Sequence, residues 1–230
     1  MLIIIAPSKT LTLDVRALNN QPLPEFIDKT SVLLRKLQQY SVEELGKLMN
    51  ISQKLAIQNH ARYQDFNLEA LPKKGRQALL VFQGDVYSGI DIDTYTDADF
   101  HFCQEHLRIL SGLYGVLRPL DLMTPYRLEM GLKWQIGEES LYQYWREELS
   151  QAIHRDAQGQ PIINLASNEY FKVLDRKQLS SQIITPLFKE ETEKGLKTVA
   201  IYAKKARGKM ANFIIKNRLT TMEQLQDFSM

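Results

Sequence analysis

The chain has 230 residues, of which 44% are hydrophobic and 24% are charged, and its formal net charge is +2 at pH 7. A chain of this length buries a sizeable core, and so small a net charge excludes attraction of an anionic partner by the overall field of the molecule. No apolar run approaches the roughly 20 residues that span a bilayer, and the opening MLIIIAPSKT lacks the length and basic residues of a signal peptide. The single cysteine, Cys103, agrees with a reducing compartment. We therefore expect a cytoplasmic protein with no membrane association.

Short apolar runs bounded by turn residues predict a series of strands along the chain. The first run, MLIIIA (residues 1–6), delivers Lys9 to the exit loop PSKT. The other predicted strands are ALLVF (78–82), LRIL (107–110), PIINLA (161–166), SQIITPLF (181–188) and KTVAIYA (197–203).

Apolar residues recur at helical spacing in residues 24–66, in SLYQYWREELSQAIHR (140–155) and in ARGKMANFIIKNRL (206–219). In the first region, interruptions near Tyr40 and Asn50 separate helices, and Ser41 and Ser52 are placed to cap the helices that follow. Because strands alternate with helical stretches, the sequence predicts an α/β or mixed α+β fold. We expect a single compact domain over residues 1–230, with a central sheet surrounded by helices.

The middle segment LSGLYGVLRPLDLMTPYRLEMG (110–131) is dense in glycine, proline and charged residues, which predicts a shaped loop. In one interpretation, the ion pairs Arg118–Asp121 and Arg127–Glu129 fasten this loop to the core. In the other, Arg118, Tyr126 and Arg127 line a cleft for an anion, because guanidinium groups pair well with phosphate. The residues alone leave both interpretations open.

Metal and redox chemistry are weakly indicated by HFCQEH, which contains His101, Cys103, Glu105 and His106. On a helix, only His101 with Glu105, or Cys103 with His106, share a face. No second cysteine is present to resolve an oxidised Cys103. We therefore expect a buried, inert thiol and no metal site.

Known enzyme motifs are sparse: the sequence has no P-loop, nucleophile elbow or zinc-protease helix, and FQGDVYSG has too few glycines for a dinucleotide fingerprint. We expect no cofactor. Polar residues nevertheless follow two predicted strands, and they could form a polar cleft if the loops converge. They are Asp85, Tyr87, Asn164, Asn168 and Glu169. A capping role at the start of a helix is the alternative for the last two residues.

Five segments, in order, resemble the YaaA family of peroxide stress proteins. They are IIIAPSKTL, FQGDVYSGI, LRILSGLYGVLRPLDLMTPYRLEMG, INLASNEYFKV and KKARGKMANFII, and together they extend over essentially the whole chain. The resemblance implies a cytoplasmic factor that limits damage from hydrogen peroxide by keeping unincorporated iron low. It also implies DNA binding through a helix-hairpin-helix element and a positively charged cleft.

The segment SVEELGKLMNISQKLA (41–56) resembles that helix-hairpin-helix element, within a helical segment of about residues 41–66. The resemblance would place Lys54 beside a DNA phosphate. The usual hairpin has glycines on both sides of an apolar residue, whereas Asn50 and Ser52 flank Ile51 here, and serine adopts the left-handed region less readily than asparagine. An ordinary helix-turn-helix corner of the core therefore remains an equal alternative.

A second basic segment, YAKKARGKM, follows the predicted strand KTVAIYA and opens a predicted helix, whose N-terminal amides would attract phosphate. We expect Lys9, Asp85, Arg118, Arg127, Asn164, Lys205 and Arg207 to line one concave face. The DNA- or anion-binding candidates are Lys9, Lys54, Arg118, Arg127, Lys204, Lys205 and Arg207. The leading hypothesis is DNA binding, mainly through phosphates. The alternative is an enzyme that acts on a nucleotide or a nucleic-acid base in the polar cleft.

Overall fold

A five-stranded mixed sheet forms the centre of the molecule in a computed structural model that describes residues 1–19, 21–193 and 195–229. The strands are β1 (Leu2–Ile5), β2 (Thr10–Leu11), β3 (Arg76–Gln77), β4 (Phe82–Gln83), β5 (Leu107–Ser111), β6 (Gly115–Leu117), β7 (Leu122–Met123), β8 (Gln135–Ile136), β9 (Glu139–Ser140), β10 (Ile162–Asn164), β11 (Ile183–Ile184), β12 (Glu190–Thr192) and β13 (Gly195–Lys197). The central sheet has the order β11-β10-β1-β5-β6.

Nine α-helices surround the sheet within the described residues. They are α1 (Ile27–Leu37), α2 (Val42–Met49), α3 (Gln53–Gln64), α4 (Leu71–Lys74), α5 (Ala78–Val81), α6 (Asp97–His106), α7 (Leu141–Ala157), α8 (Asn168–Phe171) and α9 (Ala200–Lys216). Short 3₁₀ turns cover Tyr87–Gly89, Ile92–Thr94 and Glu223–Asp227. The predicted mixed fold, a single domain with a central sheet among helices, is confirmed.

The strand β1 is the middle of the sheet and is apolar along its whole length. It runs parallel to both neighbours, pairing Leu2 with Ile162 of β10 and Ile3 with Leu107 of β5. All four residues of β1 are buried, as expected for a parallel strand covered on both faces. The predictions for the first strand and for the strands LRIL, PIINLA and SQIITPLF are confirmed.

Two predicted strands are wrong. ALLVF forms the single helical turn α5, with only Phe82 in a strand, because short apolar runs fit a buried helix as well as a strand. KTVAIYA contains the start of α9, and only its first residue, Lys197, belongs to β13. In α9, Ala203, Ala206 and Met210 are buried at helical spacing, whereas Ile201 is 56% exposed. A helix buries this pattern on one side, which an alternating strand would not do.

The helix start signals in the first helical region are confirmed. Ser41 and Ser52 are the N-caps of α2 and α3, and their side chains accept hydrogen bonds from the backbone N–H groups of Glu44 and Leu55. Asn50 ends α2 in the left-handed conformation, with φ of 49°. The corner between α2 and α3 is therefore determined by local capping chemistry.

Candidate functional site

A polar cleft of about 460 Å³ lies beyond the carboxyl ends of the parallel strands β1 and β10. It is lined by residues 6–10 and 84–87, by Glu129, by Leu165, Ser167, Glu169 and Tyr170, and by Lys204 and Arg207 of α9. Open α/β sheets bind ligands outside the carboxyl ends of their strands. The volume lies in the range of small-molecule pockets, roughly 300–1,000 Å³.

The charged side chains of the cleft balance one another. They are the three cations Lys9, Lys204 and Arg207 and the three carboxylates Asp85, Glu129 and Glu169. A DNA duplex binds to proteins chiefly through cations that replace its counterions, whereas this cleft holds as many carboxylates as cations. The mixture of signs is suited to a ligand that carries both a negative group and hydrogen-bond donors.

Glu129 connects the loop after β1 to the segment that follows β7. Its Oε1 forms ion pairs with Lys9 Nζ and with Nη2 of Arg127, each at 2.9 Å. The predicted ion pair Arg127–Glu129 therefore forms, and Lys9 joins it. The Arg127 side chain is 17% exposed and its cation is paired, so it supports the wall of the cleft and presents little charge to solvent.

On α9, Lys204 and Arg207 differ in their partners. Lys204 Nζ lies 3.5 Å from Asp85 Oδ2, a long contact between two largely exposed side chains. Arg207 is partly buried, and burial lowers its pKa. No carboxylate of the described chain lies within ion-pair distance of it. A partly buried guanidinium without a carboxylate is a strong site for an anion.

Glu169 is held in the cleft by its contact with Gly131. Its Oε1 accepts a hydrogen bond from the backbone N–H of Gly131 at 3.1 Å, and its carbonyl oxygen accepts one from the hydroxyl of Tyr142 at 2.8 Å. A Cβ on Gly131 would lie 3.0 Å from Glu169 Oε1, so the glycine leaves room for the carboxylate. Among the described residues, no cation forms an ion pair with Glu169.

Two tyrosines provide the aromatic part of the wall. The hydroxyl of Tyr87 donates to the carbonyl oxygen of Ala6 at 3.1 Å, and the hydroxyl of Tyr170 bonds to the backbone of Met130. Burial raises the pKa of both phenols well above 10. Both hydroxyls are therefore neutral at physiological pH, and they fasten the loops of the cleft to one another.

Several predicted site residues lie outside the cleft. Arg118 forms the predicted ion pair with Asp121, with Nε to Oδ1 at 3.0 Å, and its backbone N–H donates to Oδ2 at 2.8 Å. Asn164 is buried, and its amide bridges Ala166 N and Thr185 Oγ1. Lys205 and Asn168 are exposed.

The predicted single concave face is thus only partly formed. Of the seven residues predicted for this face, Lys9, Asp85 and Arg207 line the cleft, and they are joined there by the other candidates Glu169 and Lys204. Tyr87 also lines the cleft. Arg127 contacts the cleft indirectly, through its ion pair with Glu129. The sequence predicts that the N-terminus of a helix lies beside these basic residues. Within the described residues it does not line the cleft, because α9 begins at Ala200 and its basic residues lie further along the helix.

The corner between α2 and α3 forms a second candidate site, which we call the hairpin (residues 41–56). Ile51 N donates to Gly46 O at 3.1 Å and closes the turn after Asn50. Ser52 has φ of −62°, so this position requires no glycine. Lys54 is exposed on the first turn of α3, and no described carboxylate pairs with it.

Cys103 is fully buried, which confirms the expectation of a buried thiol. Its Sγ donates to the carbonyl oxygen of Phe100 at 3.3 Å, and burial raises its pKa. On the same helix, His101 Nε2 contacts Glu105 Oε1 at 3.4 Å, while His106 Nδ1 faces the carbonyl oxygen of Met1. In the described ranges there is no group of three or more His, Cys, Asp or Glu placed to hold a metal ion.

Two of the matches with known proteins extend over nearly the whole chain. The family model described as peroxide stress protein YaaA matches residues 1–230. UPF0246 protein AM1_4276 of Acaryochloris marina (strain MBIC 11017) is 48% identical over 230 residues, which cover 99% of this chain and 91% of that protein. The family match therefore includes the hairpin and every segment that lines the cleft. Among the described residues, none of the helices combines the length and the apolar character of a bilayer-spanning segment.

Proposed function

The chain belongs to the YaaA family of peroxide stress proteins, and we propose that it acts in the peroxide stress response as a cytoplasmic DNA-binding protein. The hairpin is the proposed contact surface. The observation that carries the proposal is the conformation of residues 50–54: a left-handed Asn50, an extended Ser52 and an exposed Lys54 at the start of α3. Backbone N–H groups at the start of a helix and a nearby lysine are suited to a phosphate.

The proposed contacts read no sequence, because they address only the DNA backbone. Lys204 and Lys205, both exposed on α9, are proposed to add further phosphate contacts. The paired cations Arg118 and Arg127 are proposed to have structural roles, since their carboxylate partners Asp121 and Glu129 are fixed beside them.

The charge of the hairpin is tested with Lys54→Ala, using fluorescence anisotropy with a labelled duplex at low salt. We expect several-fold weaker binding and unchanged thermal stability, because an exposed lysine contributes little to folding. Lys177→Ala is the matched control, since Lys177 is also exposed but lies outside the hairpin. Equal binding by both variants and the parent would remove the hairpin from the proposal.

The backbone of the hairpin is tested separately with Ser52→Pro and Ser52→Ala. Both variants lose the side-chain cap of α3, but only proline lacks the backbone N–H. The native φ of −62° is close to the value that proline imposes, so this residue's own backbone accommodates the substitution. We expect Ser52→Pro to weaken DNA binding more than Ser52→Ala. Equal effects would show that this N–H does not contact the phosphate.

The proposal also includes a role in limiting damage from unincorporated iron, which the family resemblance implies. In cells without the protein, electron paramagnetic resonance of chelated iron should report more unincorporated iron after peroxide treatment. Restoring the parent chain should reverse this rise. Restoring Lys54→Ala separates the two roles, because a full reversal by this variant would mean that the iron effect does not require the hairpin.

A second candidate function is an enzyme that acts on a nucleotide or a nucleic-acid base in the cleft. It is favoured by one observation: carboxylates lie among the cations of a cleft that is sized for a small molecule. Arg207 is the proposed anion anchor. Calorimetry with ribose 5-phosphate and nucleoside monophosphates tests binding, and chromatography of the same mixtures tests turnover. Loss of binding in Arg207→Met supports this function, whereas no binding of any of these compounds by the parent contradicts it.

A further inference from the structure

Two charged groups in the cleft have no oppositely charged partner among the residues that the structure describes. Arg207 is a partly buried cation on α9, and Glu169 is an exposed carboxylate at the start of α8. The other four charges of the cleft are paired: Lys9 with Glu129 and Lys204 with Asp85. Unpaired charges of both signs in one cleft are the pattern expected where a ligand supplies an anionic partner for the cation and a hydrogen-bond donor for the carboxylate.

Glu169 is oriented for this role by the groups that hold it. Gly131 N fixes Oε1 at 3.1 Å, and Tyr142 Oη fixes the carbonyl oxygen of the same residue at 2.8 Å. Oε2 remains available as an acceptor for a ligand in the cleft. A carboxylate accepts hydrogen bonds from amino groups and cannot donate to a carbonyl oxygen while it is ionised. It therefore discriminates between a base that carries an amino group and one that carries an oxo group at the same position.

Arg207 determines the other end of the ligand. Its guanidinium group presents donors in a planar fork that matches phosphate. The wall of the cleft includes Tyr87 and Tyr170, which are mostly buried and offer apolar surface to a planar ring. The cleft volume of about 460 Å³ is in the range of small-ligand sites.

We propose that the cleft binds a nucleoside monophosphate whose base carries an exocyclic amino group, with the phosphate on Arg207 and the amino group on Glu169. This inference rests on the second candidate function above, because it assumes that the cleft takes a nucleotide. It adds the orientation of the ligand and the part of the base that is recognised. The carboxylate would accept from the base as Asp and Glu accept from the N4 amino group of cytosine.

The test is calorimetry at low salt with two matched pairs, cytidine and uridine 5′-monophosphate, and adenosine and inosine 5′-monophosphate. Each pair differs where an amino group is replaced by an oxo group. We expect at least one amino-bearing nucleotide to bind about tenfold or more tightly than its oxo counterpart, because the oxo group places an acceptor against the carboxylate in the position of the amino donor. Equal affinities within both pairs would overturn the inference.

Glu169→Gln is the decisive variant, since glutamine has the same shape but its amide both donates and accepts. The preference for the amino form should shrink or reverse in this variant, while the affinity for ribose 5-phosphate stays unchanged. Retention of the full preference would overturn the role of Glu169. Arg207→Met should weaken every phosphate compound, including ribose 5-phosphate.

The panel separates failure of this inference from failure of the function on which it rests. If ribose 5-phosphate and all four nucleotides bind through Arg207 without an amino preference, the nucleotide cleft stands and the inference is wrong. If none of the five compounds binds the parent protein, the second candidate function fails and the inference fails with it.

Discussion

Gly89 and Gly208 meet backbone against backbone where α9 crosses the turn that follows β4. A Cβ on Gly208 would lie 1.8 Å from the carbonyl oxygen of Val86, and one on Gly89 would lie 2.5 Å from the carbonyl oxygen of Lys205. No side chain fits at either position without displacing the backbone. This contact sets the distance between Asp85 and the basic residues of α9, and so it shapes one wall of the cleft.

We expect Gly208→Ala to destabilise the protein by about 1–3 kcal/mol, the usual effect of overpacking a closely packed contact. For a chain of this size, the melting temperature should fall by about 2–4 °C per kcal/mol. Gly46→Ala is the matched control, because Gly46 also lies in a helix and its Cβ would rest 3.4 Å from Ala56 Cβ. Differential scanning calorimetry should show a lower melting temperature for Gly208→Ala alone. Similar melting temperatures for the two variants would mean that the contact between α9 and the turn after β4 relaxes to accept the added methyl group.

DNA binding should depend steeply on salt. If the hairpin contacts phosphates, the logarithm of the affinity falls linearly with the logarithm of the salt concentration, by about 0.9 for each phosphate that a cation neutralises. Lys54→Ala should reduce the magnitude of this slope by about one. Anisotropy titrations of both proteins over a salt series measure the two slopes. A flat dependence in the parent protein would be inconsistent with phosphate contacts.

Stability should depend on the protonation of Asp121. Burial raises the pKa of this carboxyl from 3.8 to about 6, although the hydrogen bonds from Arg118 act in the opposite direction. Because the folded pKa is the higher one, the contribution to stability is complete below about pH 4 and is lost as the pH rises through 6. Asp121→Asn does not titrate, so it should remove this loss, which amounts to at most about 3 kcal/mol.

Urea unfolding of the parent and of Asp121→Asn between pH 4 and pH 7 measures this contribution. The free energy of unfolding of the parent should fall more steeply with pH than that of the variant. Asp14→Asn is the control, because it makes the same chemical change at an exposed position. Parallel curves for the parent and Asp121→Asn would contradict the raised pKa.

Cys103 should resist hydrogen peroxide in the native protein. The thiolate is the reactive species, and burial both raises the pKa of this thiol and blocks access to it. Intact-protein mass spectrometry after peroxide treatment should show an unmodified thiol in the native state and oxidation in guanidinium chloride. Oxidation at equal rates in both states would indicate that the helix α6 opens readily.

The sequence predicts the elements of the central sheet better than it predicts the cleft. The apolar run of β1, the N-caps Ser41 and Ser52, and the long helix α7 follow from local chemistry and are confirmed. The prediction of a strand at ALLVF is wrong because an apolar run of this length does not distinguish a helix from a strand. KTVAIYA combines residues with strand propensity, yet the burial of Ala203 and Ala206 against the rest of the molecule favours a helix.

The arrangement of the cleft depends on contacts between segments that are far apart in the chain. Arg127 and Glu129 are close in sequence, and their ion pair is predictable. The addition of Lys9 to that pair follows only from the packing of the loop after β1 beside the segment that follows β7. Likewise, the glycines of GDVYSG and ARGKM indicate close approaches but not that Gly89 and Gly208 approach each other.

The position of β1 in the sheet has a consequence for the order of folding during synthesis. Its partners are Leu107–Ile109 of β5 and Ile162–Asn164 of β10, which leave the ribosome much later than β1 itself. Pairings so distant in sequence form slowly, since a long loop must close before any contact compensates for the lost entropy. The apolar segment Leu2–Ile5 therefore lacks its native neighbours until residue 164 has been synthesised, and until then the nascent chain exposes apolar surface that is prone to aggregation.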